Sequence, residues 1–253
     1  RLGFFDTVEI KTPAVPGRPD QVDVVLNVVE RNSGSFVFGL GYQQLYGLTA
    51  SVALSENNFL GTGNRVAVSV QNNSYAQRVS FSYLDPYFTE NGVSVGYNLS
   101  FSTYDQSNNN TANYTSSNTN LEAVFGIPLS ETDRLGFTIG YDKTDLTTTI
   151  GSTPQPLIDY LDTVLGAVPR YPCFLVPDTD PPIGPDVEVC GLNQQWPINQ
   201  FRASTGWGRD TRNDYLLPTR GTLNRIGLEF SFPGSDIAYY KLNYEFEHYR
   251  PLN

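Results

Sequence analysis

The sequence is poor in the residues that most catalytic, metal and nucleic-acid sites use. It holds one histidine, two cysteines and no methionine in 253 residues, and only 17% of its residues are charged. A Ser–His–Asp or Cys–His arrangement would have to use His248. We interpret this histidine as a residue near the end of the last strand and expect no enzymatic activity. Its cysteines and histidine cannot fill a structural zinc site, and a net charge of −10 argues against a nucleic-acid partner, because phosphate binding needs a basic face. We therefore expect no metal, no cofactor and no nucleic-acid partner.

Long apolar runs are absent as well. No stretch approaches the roughly 18–20 apolar residues of a transmembrane helix, so a membrane-spanning form of this chain would have to be a β-barrel. The chain begins at Arg1 without a signal peptide, and its first residues already have the pattern of a strand. We expect an internal fragment of a longer protein.

Alternation of apolar and polar side chains with a period of two is the dominant pattern. Aromatic residues make up 13% of the chain, and many occupy the apolar positions of this alternation. The clearest segments are 78–83, 93–102, 135–142, 225–232 and 241–247. Such alternation predicts strands with one apolar and one polar face. We predict about ten of them between Ser35 and Tyr249, with lengths that suit tilted membrane strands.

The predicted connections fall alternately on the two sides of the strands. The two longest and most polar, Asp105–Asn118 and Thr147–Asn199, fall on the same side, whereas short turns fall on the other. Outer-membrane barrels separate long outer loops from short periplasmic turns, and a soluble sandwich, which is the alternative, has no need to. The predicted fold class is all-β: a partial, antiparallel transmembrane β-barrel of about ten strands, over residues 34–253.

Residues 1–33 have a different character. A β-prone segment, Asp20–Glu30, follows a turn rich in proline and glycine at Pro13–Pro19. We interpret this part as the end of a separate soluble domain that leads directly into the first barrel strand.

The connection Thr147–Asn199 is the least barrel-like part of the sequence. Apolar residues at helical spacing between Pro156 and Val168 predict a short amphipathic helix. Cys173 and Cys190 follow in the same connection. Two cysteines in one exposed loop predict a disulfide in an oxidising compartment, with unlinked thiols as the alternative.

Acidic residues lie between the two cysteines and form the one candidate for a cation site. They are Asp178, Asp180, Asp186 and Glu188. Their spacing matches no calcium loop and prolines interrupt the run, so we interpret it as a solvated acidic loop.

The segment Trp207–Leu228 carries the most specific motif. A strand ends at a glycine, a charged connection follows, and Pro-Thr-Arg-Gly begins the next strand. The pattern D-x-R-x-D-Y-x-x-P-T-x-G resembles the barrel domain of the BamA family of outer-membrane assembly factors. The residues of this turn motif are Asp210, Arg212, Pro218, Arg220 and Gly221. We expect the aspartate and the two arginines to pair across the turn.

Further segments resemble the same family in the same order. Asn58–Gly63 and Asp85–Thr89 resemble its first two periplasmic turns, and Pro233–Asp236 resembles a later hairpin. Arg1–Val8 and Pro19–Val24 resemble strands of its last POTRA domain. The resemblance therefore covers the whole chain.

The resemblance implies a division of the chain. Residues 1–33 would be the C-terminal part of the last POTRA domain, in the periplasm. Residues 34–253 would be the N-terminal part of the outer-membrane barrel, with 147–199 as an extracellular loop. The family's barrel has more strands than this chain supplies, so we do not expect the chain to form a closed barrel.

The implied function is the assembly and insertion of β-barrel proteins into the bacterial outer membrane. The expected partners are unfolded outer-membrane protein clients, accessory assembly lipoproteins and outer-membrane lipid. In this family the seam between first and last strand is weakly paired, so a client strand adds to the edge of the first strand. The residues placed at that edge are Gly34, Ser35, Phe36, Val37, Phe38, Gly39, Leu40, Gly41 and Tyr42. Small inward-facing residues are the alternative interpretation of the glycines.

Two other functions remain as alternatives. One is a related POTRA-barrel transporter, either of two-partner secretion or a sister assembly factor, and the other is a passive porin-like barrel. Residues 1–33 count against the porin, and the first-strand and turn motifs favour the BamA family over the transporter.

Overall fold

The computed structural model describes residues 5–18, 20–109, 113–149, 151–164, 166, 173–176, 187–190 and 193–251. For residues 108, 109, 164, 173–176 and 187–190 it describes the backbone alone. The strands within these ranges are β1 (Phe5–Lys11), β2 (Val25–Glu30), β3 (Gly34–Gln43), β4 (Gly47–Glu56), β5 (Arg65–Asn72), β6 (Ala76–Asp85), β7 (Ser94–Asp105), β8 (Tyr114–Pro128), β9 (Asp133–Thr149), β10 (Cys173–Val176), β11 (Val187–Cys190), β12 (Asn193–Asp210), β13 (Gly221–Ser231) and β14 (Tyr240–Tyr249).

Ten of these strands form one antiparallel sheet. Its order is β14-β13-β12-β9-β8-β7-β6-β5-β4-β3, so almost every strand pairs with the next one along the chain. The exception is the pairing of β9 with β12, which encloses the long connection and the separate β10–β11 pair. The predicted all-β, antiparallel architecture of about ten strands is confirmed. Within the described residues the sheet is open, with β3 at one edge and β14 at the other.

The register divides the sheet into a polar face and an apolar face. One row of opposing residues on the polar face is Ser35, Ser55, Ala67, Ser82, Asn98, Glu122, Gly140, Arg202 and Ser231. The opposite face carries large apolar side chains that remain exposed, such as Phe38 at 61% and Leu40 at 65%. A monomeric soluble protein rarely exposes so large an apolar surface, whereas a membrane barrel presents one to lipid. The sheet therefore has the faces of a barrel wall and not those of a sandwich.

The two ends of the sheet differ in their connections. The turns 57–64, 86–93, 129–132 and 211–220, none longer than ten residues, lie at one end, which we call the short-turn end. The connections 44–46, 73–75, 106–113, 150–192 and 232–239 lie at the other, the long-connection end. Thr147–Thr149 and Asn193–Asn199 belong to strands, because β9 and β12 pair as far as Thr149↔Asn193. The long connection is therefore shorter than the predicted Thr147–Asn199.

The long connection returns to the sheet and builds a small core. The helix α1 (Gln155–Asp159) continues as a π-helical turn, Tyr160–Val164. Leu161 of that turn packs with Trp196 and Ile198 of β12, and all three are buried. The partly buried residues around them are Leu146, Leu157, Ile158 and Ile237. The predicted amphipathic helix is present; its described part runs from Gln155 to Val164, and Gly166 has a left-handed φ of 58°.

Residues before β3 form a separate two-stranded sheet. β1 pairs with β2 from Phe5↔Glu30 to Lys11↔Val25, and Ala14↔Val22 adds an isolated bridge. The regular strand therefore starts at Val25 and not at Asp20 as predicted. Among the described helices, none has the length and apolar character needed to cross a membrane.

Candidate functional site

The edge of β3 is the first candidate site. On one side β3 pairs with β4 from Gly34↔Glu56 to Gln43↔Gly47. Its other side has no partner strand among the described residues, so alternate backbone N–H and C=O groups along that side are available for an added strand. The structure thus places all nine predicted edge residues, 34–42, on one exposed strand.

The two central glycines of β3 differ in their surroundings. A Cβ atom on Gly39 would lie 2.5 Å from Ser51 Oγ, so a side chain there would require Ser51 to move. A Cβ on Gly41 would meet nothing within 4 Å. Close approach to β4 explains glycine at position 39, and the structure gives no packing reason for glycine at position 41.

The turn between β12 and β13 is the second candidate site, and a single guanidinium organises it. Arg212 donates hydrogen bonds to both carboxylate oxygens of Asp210, at 3.0 Å and 2.7 Å, and a third of 3.4 Å to Glu247 of β14. The guanidinium lies 5.6 Å from the ring centroid of Tyr215. The bonds to Asp210 raise the pKa of Arg212, and the side chain is only 9% exposed. Arg212 therefore joins the turn to the last described strand.

Of the two arginines expected to pair across the turn, only Arg212 does so. Arg220 is exposed and takes no part in the ion pairs found among the described residues. Its backbone N–H instead donates to Asn213 Oδ1 at 2.9 Å. Arg220 therefore does not make the pairing across the turn that was expected of it. Pro218 is half-buried in the turn.

Gly221 closes the turn in a conformation that only glycine adopts easily. Its φ is 109°, and a Cβ atom would lie 2.3 Å from the carbonyl oxygen of Thr211. The close approach lets Thr211 N donate to Thr222 O at 2.8 Å.

Asp214 Oδ1 accepts hydrogen bonds from the backbone N–H groups of Leu217 and Leu216, which lower the pKa of Asp214.

A charged network on the polar face was missed by the sequence analysis. Arg202 forms ion pairs with Glu122, with Asp142 at 2.5 Å and with Glu229 at 3.9 Å. Tyr239 donates to Glu229 Oε1 at 2.7 Å. Burial, reinforced by this hydrogen bond, raises the pKa of Tyr239 to about 12. The network crosses β8, β9, β12 and β13, so it depends on the register, which alternation alone does not supply.

Cys173 and Cys190 lie opposite each other in the ladder between β10 and β11. Their side chains and that of Glu188 fall outside the described part of the chain, as do the other residues of the candidate cation site, Asp178, Asp180 and Asp186. In the part of the chain that is described, no group of three or more histidine, cysteine or acidic side chains is arranged to hold a metal ion. His248 is exposed in β14, opposite Thr222.

The open antiparallel wall, with its apolar outer face and short turns at one end, is that of an outer-membrane barrel. Residues 58–253 match the model of the Omp85 superfamily domain, and the chain belongs to that superfamily. Within the superfamily, it is 29% identical over its whole length to the outer membrane protein assembly factor BamA of Neisseria meningitidis serogroup B, of which it spans 29%. It is 26% identical over 138 residues to BamA of Buchnera aphidicola, covering 54% of this chain and 22% of the relative.

A solved structure shows the same fold. The crystal structure of BamA from Haemophilus ducreyi lacking POTRA domains 1–3 has a TM-score of 0.68 and 28% identity, covering all of this chain and 44% of that one. The resemblance to BamA read from the sequence is therefore confirmed, as is the fold class of a partial antiparallel transmembrane barrel. The chain spans less than a third of the curated relatives' length.

Proposed function

We propose that this chain is the wall segment of an outer-membrane assembly factor that inserts client β-barrel proteins. The observation that carries the proposal is the match to BamA over the full length of this chain, in which β3 is the first strand of the ten-stranded sheet. The relatives are named as outer membrane assembly factors, which supports a location in the bacterial outer membrane. The BamA relatives thus favour assembly over passive transport.

The proposed mechanism is strand addition. An extended client segment pairs with the outer side of β3 through backbone hydrogen bonds, each of which contributes about 0.5–1.5 kcal/mol net in water. Little depends on side-chain identity, because N–H and C=O groups make the contacts. The apolar residues of β3, among them Phe36 and Phe38, place the added strand in register with the lipid-facing surface.

The driving force comes from the client and not from a cofactor. A strand that leaves water and pairs with β3 satisfies its backbone groups, as the bilayer interior requires. Its apolar side chains gain about 25 cal/mol for each Å² removed from water. Insertion can therefore proceed without a nucleotide.

The remaining parts of the chain have proposed places in the same membrane. Residues 1–33 form the end of a POTRA domain in the periplasm, next to the short-turn end of residues 34–253. The long-connection end, with 147–199, faces outward. Accessory assembly lipoproteins bind on the periplasmic side, unfolded clients approach from it, and lipid covers the apolar face.

Site-directed crosslinking in the full-length parent protein tests the proposal. Ser35→Cys or Val37→Cys on β3 is paired with cysteines along the last strand of a stalled client. We expect each cysteine on β3 to crosslink to one position of the client strand, in a single register. Neighbouring client positions should react poorly, because successive side chains of a strand point to opposite faces. Ser80→Cys is the matched control, because β6 is paired on both sides. If β3 and the control react equally, or neither reacts, β3 is ordinary barrel wall and a transporter or pore is favoured.

A further inference from the structure

Three tyrosines lie side by side at the long-connection end of the first five sheet strands. Tyr46 is in the turn after β3, Tyr75 is in the turn after β5, and Tyr104 is near the end of β7. The ring centroids of Tyr46 and Tyr75 are 5.3 Å apart, and those of Tyr75 and Tyr104 are 5.8 Å apart. Aromatic rings attract each other at these distances. Arg78 extends the row, because its guanidinium lies 5.8 Å from the ring centroid of Tyr104 and donates to the hydroxyl.

Hydrogen bonds follow the same row. Ser74 donates to the carbonyl oxygen of Tyr46 twice, from its backbone N at 3.2 Å and from Oγ at 2.7 Å. The backbone N of Asp105 donates to the carbonyl oxygen of Tyr75 at 2.8 Å. Gln106 Nε2 donates to the hydroxyl of Tyr75 at 3.1 Å. Each turn is therefore bonded to the next through backbone and side chain together.

The row bridges the shortest ladder of the sheet. β4 and β5 share seven residue pairs, from Ala50↔Asn72 to Glu56↔Val66, fewer than any other neighbours in the ten-stranded sheet. β3 and β4 share ten pairs. The first residues of β4, 47–49, extend past the end of the β4–β5 ladder. The bonds and ring contact of Tyr46 therefore continue the attachment where the ladder stops.

We propose that Tyr46, Tyr75 and Tyr104 hold the β3–β4 hairpin to the rest of the wall while the edge of β3 receives a client strand. This inference rests on the proposed use of β3 as the pairing edge. Force on β3 passes to β4 through their ten pairs and then meets the short β4–β5 ladder. The tyrosines act as positioning residues, because they keep the template strand fixed and act on the client only through β3.

Amide hydrogen exchange on the full-length protein in lipid bilayers is the first test. Tyr75→Leu removes both ring contacts, and we expect the amides of the β4–β5 ladder to exchange roughly two- to tenfold faster. Exchange in the β3–β4 ladder should change less. Tyr75→Phe keeps the rings and should stay within about twofold of the unmodified protein. Tyr97→Leu is the matched control, because it removes one ring of the Tyr83–Tyr97 pair, whose centroids are 6.2 Å apart toward the short-turn end of the sheet.

Client crosslinking separates the two proposals. If Ser35→Cys forms no client crosslink with Tyr75 unmodified, the use of β3 as an edge fails, and the templating role of the tyrosines fails with it. If crosslinks form, we expect Tyr75→Leu to lower their yield several-fold and to spread them over neighbouring registers. Tyr75→Phe should restore both. An unchanged exchange rate in the β4–β5 ladder, or an unchanged crosslink register, overturns the inference while leaving the proposed function intact.

Discussion

The indole Nε1 of Trp196 donates a hydrogen bond of 2.8 Å to Oγ1 of Thr148, and both side chains are buried. The pair joins β12 to β9 on the polar face of the sheet, against Leu161 of the long connection. The returning connection covers this part of the polar face, which explains why a large apolar side chain is buried there.

Trp196→Ala should therefore lower the free energy of unfolding by about 3–5 kcal/mol, through lost burial and the cavity left behind. Trp196→Phe keeps most of the packing and should cost about 1–2 kcal/mol for the lost hydrogen bond. Denaturant titration of the full-length protein in detergent micelles measures both. Trp207→Ala, on the apolar face, is the control, and a loss as large as that of Trp196→Ala would contradict the importance of the core.

Arg212→Lys should loosen the turn between β12 and β13, because an ammonium group cannot make the paired bonds to Asp210. Limited proteolysis at residues 211–220 measures this, and we expect cleavage to become several-fold faster. Arg220→Lys is the matched control on the same turn, since Arg220 is exposed and forms no ion pair among the described residues. Equal rates for the two variants would show that the bonds of Arg212 do not hold the turn.

Gly221→Ala should cost about 1–3 kcal/mol, because an alanine is strained at a φ of 109° and its Cβ would meet Thr211 O at 2.3 Å. Gly41→Ala, with open space at its Cβ, should cost less than about 0.5 kcal/mol. The same unfolding measurement compares them. A smaller loss for Gly221→Ala than for Gly41→Ala would mean that the turn rebuilds around the new side chain.

The turn should also lose order in acid. The backbone N–H groups of Leu217 and Leu216 bind the ionised carboxylate of Asp214 and lower its pKa. The bonds are at full strength above the usual carboxyl pKa and weaken as the pH falls through the lowered one. Amide exchange at Leu216 and Leu217 between neutral and strongly acidic pH, corrected for intrinsic rates, reports this. Asp214→Ala should remove the pH dependence, and its persistence would assign it to another group.

Cys173 and Cys190 should be linked in the protein as isolated. Opposite residues of an antiparallel ladder lie about 4.5–5.5 Å apart at Cα, within the range that a disulfide spans. Alkylation with a large maleimide should shift the mobility of the denatured protein only after reduction. A shift without reductant would show free thiols. Removing the link with Cys173→Ser should cost about 3 kcal/mol, because the unfolded chain regains the freedom of the closed loop.

Alternation was enough to predict the ten strands of the wall, because one face meets lipid and the other meets water, but it did not predict β10 and β11 in the long connection. Strand ends were harder. Thr147–Thr149 read as loop because threonine and its polar neighbours lack an apolar face, yet these residues pair with Asn193–Gln195.

The turn motif was predicted as a set of residues, but its internal bonding was predicted only in part. Asp210 and Arg212 are two residues apart and their pairing is local, so the sequence contains it. The network of Arg202 with Glu122 and Glu229 joins residues far apart in the chain, and it exists only once the register is fixed. The sequence therefore predicted contacts between residues close together in the chain, but not contacts between residues on different strands.

The core around Trp196 divides the hydrophobic surface of this chain into two kinds. The outer surface, with Phe38 and Leu40, is removed from water only when lipid covers it. Leu161, Trp196 and Ile198 instead bury one another within the chain. One part of folding therefore requires the bilayer and the other does not. The long connection can therefore pack on β9 and β12 before lipid covers the outer face of the sheet.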